Sequence, residues 1–251
     1  SFSMIVLEKN LSQPYKMIDI VTTPDGSPVA MVHCNNCTSD INDWVDIFKQ
    51  FGDLMGMKFD MNELYTKIFS VALDGEANCG GLLSYNYISG EPVTDFEEGR
   101  PLFVRAENDN FSLANFMRAQ LYAAIGVLKI GNDVLFKDEK VNVDRITGHG
   151  GYFKTKGVGQ RFLAAALNSP ISVMETAGEG GAWGIALLAS YLVNKEANQD
   201  LADFLENKVF AGNTGTEIKP TSEDVAGFEA YIANYKKGLT IEKAAVENKD
   251  A

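Results

Sequence analysis

Three glycines fall within four positions at Gly148-His149-Gly150-Gly151. Glycine has no Cβ and tolerates positive φ, so such a turn can bring bare backbone N–H groups against a ligand. Asn142-Val143-Asp144-Arg145-Ile146-Thr147 alternates like a strand into the turn, and a helical pattern leaves it. The first N–H groups of that helix would be unpaired and carry partial positive charge. A turn of this kind is a setting for a nucleotide phosphate or another anion. Lys154 is the cation next to it. The spacing is neither G-x-G-x-x-G nor G-x-x-x-x-G-K-[ST]. On spacing alone, a plain tight connection between strand and helix therefore stays open beside the anion site.

The elements around the turn repeat a strand–helix order. Ile171-Ser172-Val173-Met174 reads as a short buried strand. A helix poor in large side chains follows, from Glu179 through Ala189. Glu175 and Glu179, four apart, are read as groups at a helix start rather than an acid–base pair. Upstream, Ile18-Asp19-Ile20-Val21-Thr22 and Val29-Ala30-Met31-Val32-His33 flank Pro24-Asp25-Gly26-Ser27, and the three together predict a β-hairpin. Thr38-Ser39-Asp40 supplies helix-cap residues. Ile41, Trp44, Val45 and Phe48 then recur at helical spacing, with Trp44 read as core. Further helices are predicted over Met61–Leu73 and Leu113–Leu135, at Leu201-Phe204-Leu205, and from Thr221 onward. Strands are predicted over Leu82–Ile88 and Leu102–Arg105. On the long helix, Leu113, Phe116, Met117, Leu121, Ala124, Ile125 and Leu128 form the inward face, and Arg118 is read as paired or solvated. The charged end, 242–251, is expected to be a frayed tail. The order of elements fits an α/β layer fold, a mixed sheet with flanking helices.

The series of motifs resembles the C-terminal lobe of the FGGY carbohydrate kinases, in particular the xylulokinase-like members. Gly148 to Gly151 resembles their G-G-G-A-type adenosine turn, and Glu179 to Ala189 their small-residue helix. Gly80-Gly81-Leu82-Leu83-Ser84-Tyr85-Asn86-Tyr87-Ile88-Ser89-Gly90-Glu91-Pro92 resembles a G-G-L-x-F-x-P-Y-L-x-G-E-R segment, and Asn115 to Leu121 an L-x-R-A-x-L-E-G helix. Asn86, Pro92 and Tyr122 stand where proline, arginine and glutamate are usual, and Tyr152-Phe153-Lys154 are extra residues in the turn.

The resemblance implies a ribonuclease-H-like lobe of the actin and hexokinase superfamily, spanning 1–251. It implies ATP and Mg²⁺ as ligands and phosphoryl transfer to a sugar. D-xylulose is the expected sugar; ribulose, glycerol and gluconate, or a non-catalytic role for the same fold, are the alternatives. Gly148, Gly150 and Gly151 would offer backbone to the adenosine and α-phosphate. Thr155 sits where some members place an asparagine on the purine. Ala106 lies near a second phosphate-side glycine, and Lys154 would contact phosphate. The catalytic aspartate, most sugar contacts and a G-T-S phosphate turn belong to an N-terminal lobe upstream of Ser1, so no catalytic residue is assigned to this chain.

Composition limits the partners. The 251 residues carry 34 acidic and 22 basic side chains, a net charge of −12, which disfavours nucleic acid and anionic membranes. No apolar run is long enough to span a bilayer, and a cytoplasmic protein is expected. Cys34, Cys37 and Cys79 are an odd set, read as reduced thiols rather than a disulfide framework or a metal site. The chain opens in a strand pattern without an initiator methionine, as a piece of a longer protein would. Parted from a companion lobe, it is expected to expose an apolar face and to self-associate, as a homodimer, or to lose stability.

Overall fold

The computed structural model describes residues 1–174, 180–212 and 215–249. The first sheet has strands β1 (Phe2–Val6), β2 (Asp19–Thr22) and β3 (Pro28–His33), with β3 in the middle and both pairings antiparallel. The β2–β3 hairpin forms as its turn chemistry predicts, with Gly26 at φ +95° and the Gly26 N–H donating to Thr23 O at 3.0 Å. Ile5 and Ala30 point inward from this sheet, while Phe2, Met4 and Val6 on the opposite face of β1 are exposed. A short antiparallel pair follows, β4 (Leu83–Tyr85) with β5 (Leu102–Val104). In the third sheet β6 (Ile146–Gly148) runs parallel to β7 (Ile171–Val173), and β8 (Thr216–Ile218) pairs antiparallel with β7.

Two of these strands are shorter than the sequence predicts. The alternation at 142–147 yields strand only from Ile146, because β7 offers three partners and no more. The stretch predicted as Leu82–Ile88 stops at Tyr85, where the Asn86 side chain turns aside and donates to Cys37 O at 2.6 Å.

Helix α1 (Ser39–Leu54) buries Ile41 and Val45, and Trp44 packs edge-on against Phe116 at 4.9 Å. Thr38 occupies its N-cap position, but its side chain makes no capping bond. Helix α2 (Met61–Val71) is capped by Asp60, whose side chain accepts from the Glu63 N–H at 3.0 Å. Helix α3 (Leu113–Asp133) is the axis of the molecule. Ser112 caps it, and every residue from Asn115 to Lys129 is buried. The one-sided face read from its spacing is thus an underestimate, since a helix packed on all sides needs no polar stripe. Leu113, placed inward by that reading, is 47% exposed in the first turn. Helix α4 (Val158–Leu167) crosses from β6 to β7, a βαβ unit.

Helix α5 (Gly180–Asn194) contains no buried residue and leaves Ile185, Leu192 and Val193 exposed. Trp183 packs on Phe210, and Tyr191 on Phe204 of α6 (Leu201–Phe204). The start of the small-residue helix, with Glu175 and Glu179, lies outside the described residues. Helix α7 (Ser222–Glu247) is capped by Thr221 and closes the fold against α3, α4 and β4. It runs well into the segment read as a frayed tail. Glu242 is buried there and accepts the Arg100 N–H at 2.8 Å, so a local anchor overrides the charged composition. Among the described residues no helix is long and apolar enough to cross a membrane.

One buried charge cluster ties α3, α4 and α7 together. Arg118, 1% exposed, donates to Asp224 at 2.6 Å, to the Tyr122 hydroxyl at 2.9 Å and to Gly75 O at 2.8 Å. Arg161 reaches the same carboxylate at 2.7 Å. Burial works to raise the Asp224 pKa, but Arg161, Arg118 and Thr221 outweigh it and hold the carboxyl below its ordinary value. Asp224→Ala would leave Arg118 buried and unpaired, and is expected to cost about 3–5 kcal/mol of unfolding free energy in a urea titration. A loss below about 1 kcal/mol would remove this cluster from its structural role.

Glu242 gives a pH-dependent prediction. Burial pushes its pKa from 4.5 up to about 7. Between those values the native carboxyl is protonated and the unfolded one is not, so its contribution is full below pH 4.5 and lost as pH rises through about 7. The melting temperature of Glu242→Gln relative to the parent should therefore climb from pH 4.5 to pH 7 and stay level above it. The slope should be about 1 kcal/mol per pH unit at its steepest. A gap that does not change with pH would refute the assignment.

Candidate functional site

The glycine turn sits where β6 ends, and its glycines have different jobs. Gly148 is buried under Phe153: a methyl group there would lie 2.5 Å from the ring. Gly150 has φ +102°, a conformation that disfavours any other residue, and nothing lies within 4 Å of its missing Cβ. Gly151 is equally open. The carbonyls of Gly150 and Gly151 accept the N–H groups of Phe153 and Lys154, both at 3.1 Å, which closes a 3₁₀ turn over Gly151–Phe153. Their own N–H groups have no backbone partner among the described residues. Gly150 and Gly151 are therefore the bare backbone that the sequence anticipates, and Gly148 is a packing glycine.

The inserted residues hold the turn in place. Tyr152 is buried and its hydroxyl donates to Leu121 O on α3 at 3.0 Å. Its own carbonyl leaves no room for a side chain at Gly159, 2.4 Å away. The helix that follows the glycines starts only at Val158, with Gly157 in its N-cap position, after the inserted Tyr152, Phe153 and Lys154.

Cavities open on both sides of this turn. The larger, about 730 Å³, is lined by Phe153, Lys154, Lys156, Gln160, Met174 and Thr216 among others. Its size suits a drug-sized or nucleotide-sized ligand. The smaller, about 400 Å³, lies between Gly151, Lys154 and Thr155 on one wall and α1 and α2 on the other. The helices contribute Thr38, Asn42, Asn62, Tyr65 and Thr66. Tyr65 donates to Asn42 Oδ1 at 3.0 Å, which leaves the Asn42 amide donors facing outward from that pair. Lys154 is exposed and lines both cavities. Thr155 is buried on the smaller one.

The structure thus brings Gly151, Lys154 and Thr155 together on a donor-rich pocket, with Gly150 adjoining them in the turn but lining neither cavity. It does not bring Ala106. That residue lines neither cavity, and its N–H is already given to Asp109 at 3.1 Å. Thr38, Asn42 and Tyr65 were not singled out as site residues. Only the uncapped Thr38 hydroxyl hints at a duty besides starting α1. Cys34 and Cys79 are buried, and burial pushes both thiols up, away from reactive thiolate. His149 is exposed in the turn. No group of three or more His, Cys, Asp or Glu gathers as a metal cage among the described residues.

Residues 1–193 match the C-terminal domain of the FGGY family of carbohydrate kinases. No curated protein matches the chain. Solved structures with the same fold include the xylulose kinase from Rhodospirillum rubrum, with TM-score 0.69 and 16% identity over 96% of this chain. The gluconate kinase from Lactobacillus acidophilus gives TM-score 0.70 and 20% identity over 98%. The Plasmodium falciparum glycerol kinase with ADP gives 0.60 and 15% over 96%. The chain spans less than half of each: 46%, 46% and 45% of their lengths. Identities this low speak to the fold, which is that of the ribonuclease-H-like kinase lobe.

Gly148→Ala and Gly151→Ala separate packing from binding. The first should destabilise the protein by about 1–3 kcal/mol, because Phe153 must move. The second should leave the melting temperature within about 2 °C while obstructing any ligand at the turn. Equal thermal shifts for the two variants would contradict the division.

Proposed function

The chain belongs to the FGGY family of carbohydrate kinases, and we propose that it is the nucleotide-binding lobe of an ATP-dependent sugar kinase. In this reading the base lies in the larger cavity and the phosphates pass over Gly150 and Gly151. The terminal phosphate end points into the smaller cavity. The observation that carries it is the open backbone of Gly151 on the smaller cavity, next to the equally open Gly150, with Lys154 lining both this cavity and the larger one. The donors on that path are the two backbone N–H groups, the Lys154 ammonium, the hydroxyls of Thr38 and Thr155, and the Asn42 amide. Such a set favours an anion, and among the described lining residues there is no carboxylate. Mg²⁺ would be held through the phosphates, as that ion commonly is, since the described residues offer no cage of their own.

Phosphoryl transfer is mostly positioning and charge stabilisation, and it needs a base for the sugar hydroxyl. We assign the base and most sugar contacts to an N-terminal lobe, as the resemblance implies. This chain's residues would bind and orient the nucleotide. D-xylulose is the sugar we favour, in line with the xylulose kinases among the structural neighbours. A gluconate and a glycerol kinase of the same fold keep those polyols in the test. A non-catalytic role for the same fold stays the alternative, since no base is assigned to this chain, but the departures that also suggested it do structural work. Tyr122 accepts from Arg118, Asn86 holds Cys37 O, and Pro92 opens a 3₁₀ turn.

Calorimetric titration of the chain with ADP tests the nucleotide reading. Binding should weaken about tenfold in Lys154→Ala, the worth of one charge-assisted contact. No binding of ADP or ATP would overturn the proposal. Phosphorylation of D-xylulose, gluconate and glycerol by the chain together with its N-terminal lobe then identifies the sugar.

A further inference from the structure

Helix α1 carries two apolar faces. Ile41 and Val45 on one of them are buried in the core. Ile47, Phe51 and Leu54 recur four and three residues apart on the other, and all three are exposed, Leu54 by 82%. A surface helix ordinarily turns polar residues that way. The stripe runs into the corner that leads to α2, and the corner is fixed. Gly56 has φ +73°, and the N–H groups of Gly56 and Met57 donate to Asp53 O at 3.0 Å and to Gly52 O at 2.9 Å, the pattern that ends a helix in a tight reversal. The ring of Phe59 lies over Gly52 and leaves no room there for a Cβ. Met55, Met57 and Phe59 are nevertheless exposed on this ordered frame. The six side chains offer on the order of 600 Å² of apolar surface, at the top of the range for a monomer's largest patch and close to one partner's share of a standard interface.

The charges around the patch choose its occupant. From Asp43 to Asp60 the sequence has four aspartates and two lysines. Lys49 is already paired with Asp53 at 2.6 Å. Asp43 and Asp46 are exposed on α1 and form no ion pair among the described residues. A second copy would set the same acidic excess against itself, within a chain whose net charge is −12. A partner with basic groups beside its apolar surface meets that excess with the opposite sign. The spacing of Ile47, Phe51 and Leu54 matches the row of side chains on one face of another helix, which can lie along it ridge into groove. Methionines at the corner adapt to whichever apolar side chains arrive. We propose that the α1–α2 corner is a docking surface for an amphipathic helix with basic flanks, supplied by a partner protein. The inference is independent of the nucleotide reading.

Fluorescence anisotropy of a labelled Leu–Lys peptide, with leucine along one helical face and lysine on its flanks, is the test. The chain is expected to bind it. Phe51→Ser and Leu54→Ser remove exposed groups, so each should keep the melting temperature within about 2 °C. Each should weaken the peptide about tenfold. Ile185→Ser, on the exposed face of α5, should leave binding unchanged. A scrambled peptide of the same composition and a Leu–Glu peptide should each bind at least about tenfold more weakly. No binding overturns the proposal. Unchanged affinity in both patch variants, or equal binding of the scrambled peptide, would reduce the contact to general attraction by an acidic chain and also overturn it. Sedimentation and a titration with the N-terminal lobe present address the other occupants. A dimer that Leu54→Ser dissolves would give the patch to a second copy, and loss of peptide binding beside the lobe would give it to that lobe. Either result overturns the assignment to a basic helix.

Discussion

A guanidinium with no access to water must find its partners inside the protein, and Arg118 dictates much of this architecture by that need. Its donors reach the 75–77 loop, its own helix at Tyr122, and Asp224 at the start of α7. Desolvating such a pair is costly, so the gain over an apolar core is small, but the cost of breaking it is large. The cluster therefore acts mainly by excluding other arrangements. α7 cannot slide along α3 without stranding a charge. Arg161 extends the same constraint to α4, the helix that follows the candidate site.

The departure at Tyr122 belongs to this cluster. A glutamate is usual at that position in the resembled family, and it would sit one helical turn from Arg118. Here a neutral hydroxyl takes that place and accepts two of the arginine's donors. The compensating carboxylate comes from Asp224, 106 residues away. The charge of Arg118 is thus met by a long-range partner rather than by a neighbour on its own helix. The ring of Tyr122 also packs against Phe162 of α4 and Phe228 of α7, so one substitution joins charge and packing. From the neighbouring position on α3, the Leu121 carbonyl receives the Tyr152 hydroxyl. The frame that positions the helices thereby positions the glycine turn.

Local chemistry made much of this legible. The hairpin about Gly26, the capped start of α7 and the spacing of Ile41, Trp44 and Val45 each follow from rules that act within a few residues. The glycine turn was legible as an exposed stretch of backbone, but not which glycine packs and which stays open. That distinction depends on Phe153 folding back over Gly148. Ala106 lines neither cavity, and Asp109, three residues on, takes its N–H. Asn42 and Tyr65 carry no local signal and Thr38 reads only as a helix cap, since their pocket exists only once α1 and α2 meet the turn. The end of α7 misled for a similar reason: a charged segment reads as loose until Arg100 is seen to hold Glu242.

A site that binds through backbone diverges differently from one that binds through side chains. The N–H groups of Gly150 and Gly151 persist whatever the neighbouring side chains become, provided the φ of Gly150 is kept. In the proposed reading a phosphate path would therefore survive three inserted residues, because Tyr152 anchors the insertion to the core. The base end of the proposed site would have no such protection. Its selectivity depends on which side chains are free, and Gln160 is free only if the joint between β7 and β8 is held by something else. In this chain Gln160 is part of that joint. The strand pairing that shapes the cleft and the side chain that would read a base draw on one amide, and the fold has claimed it.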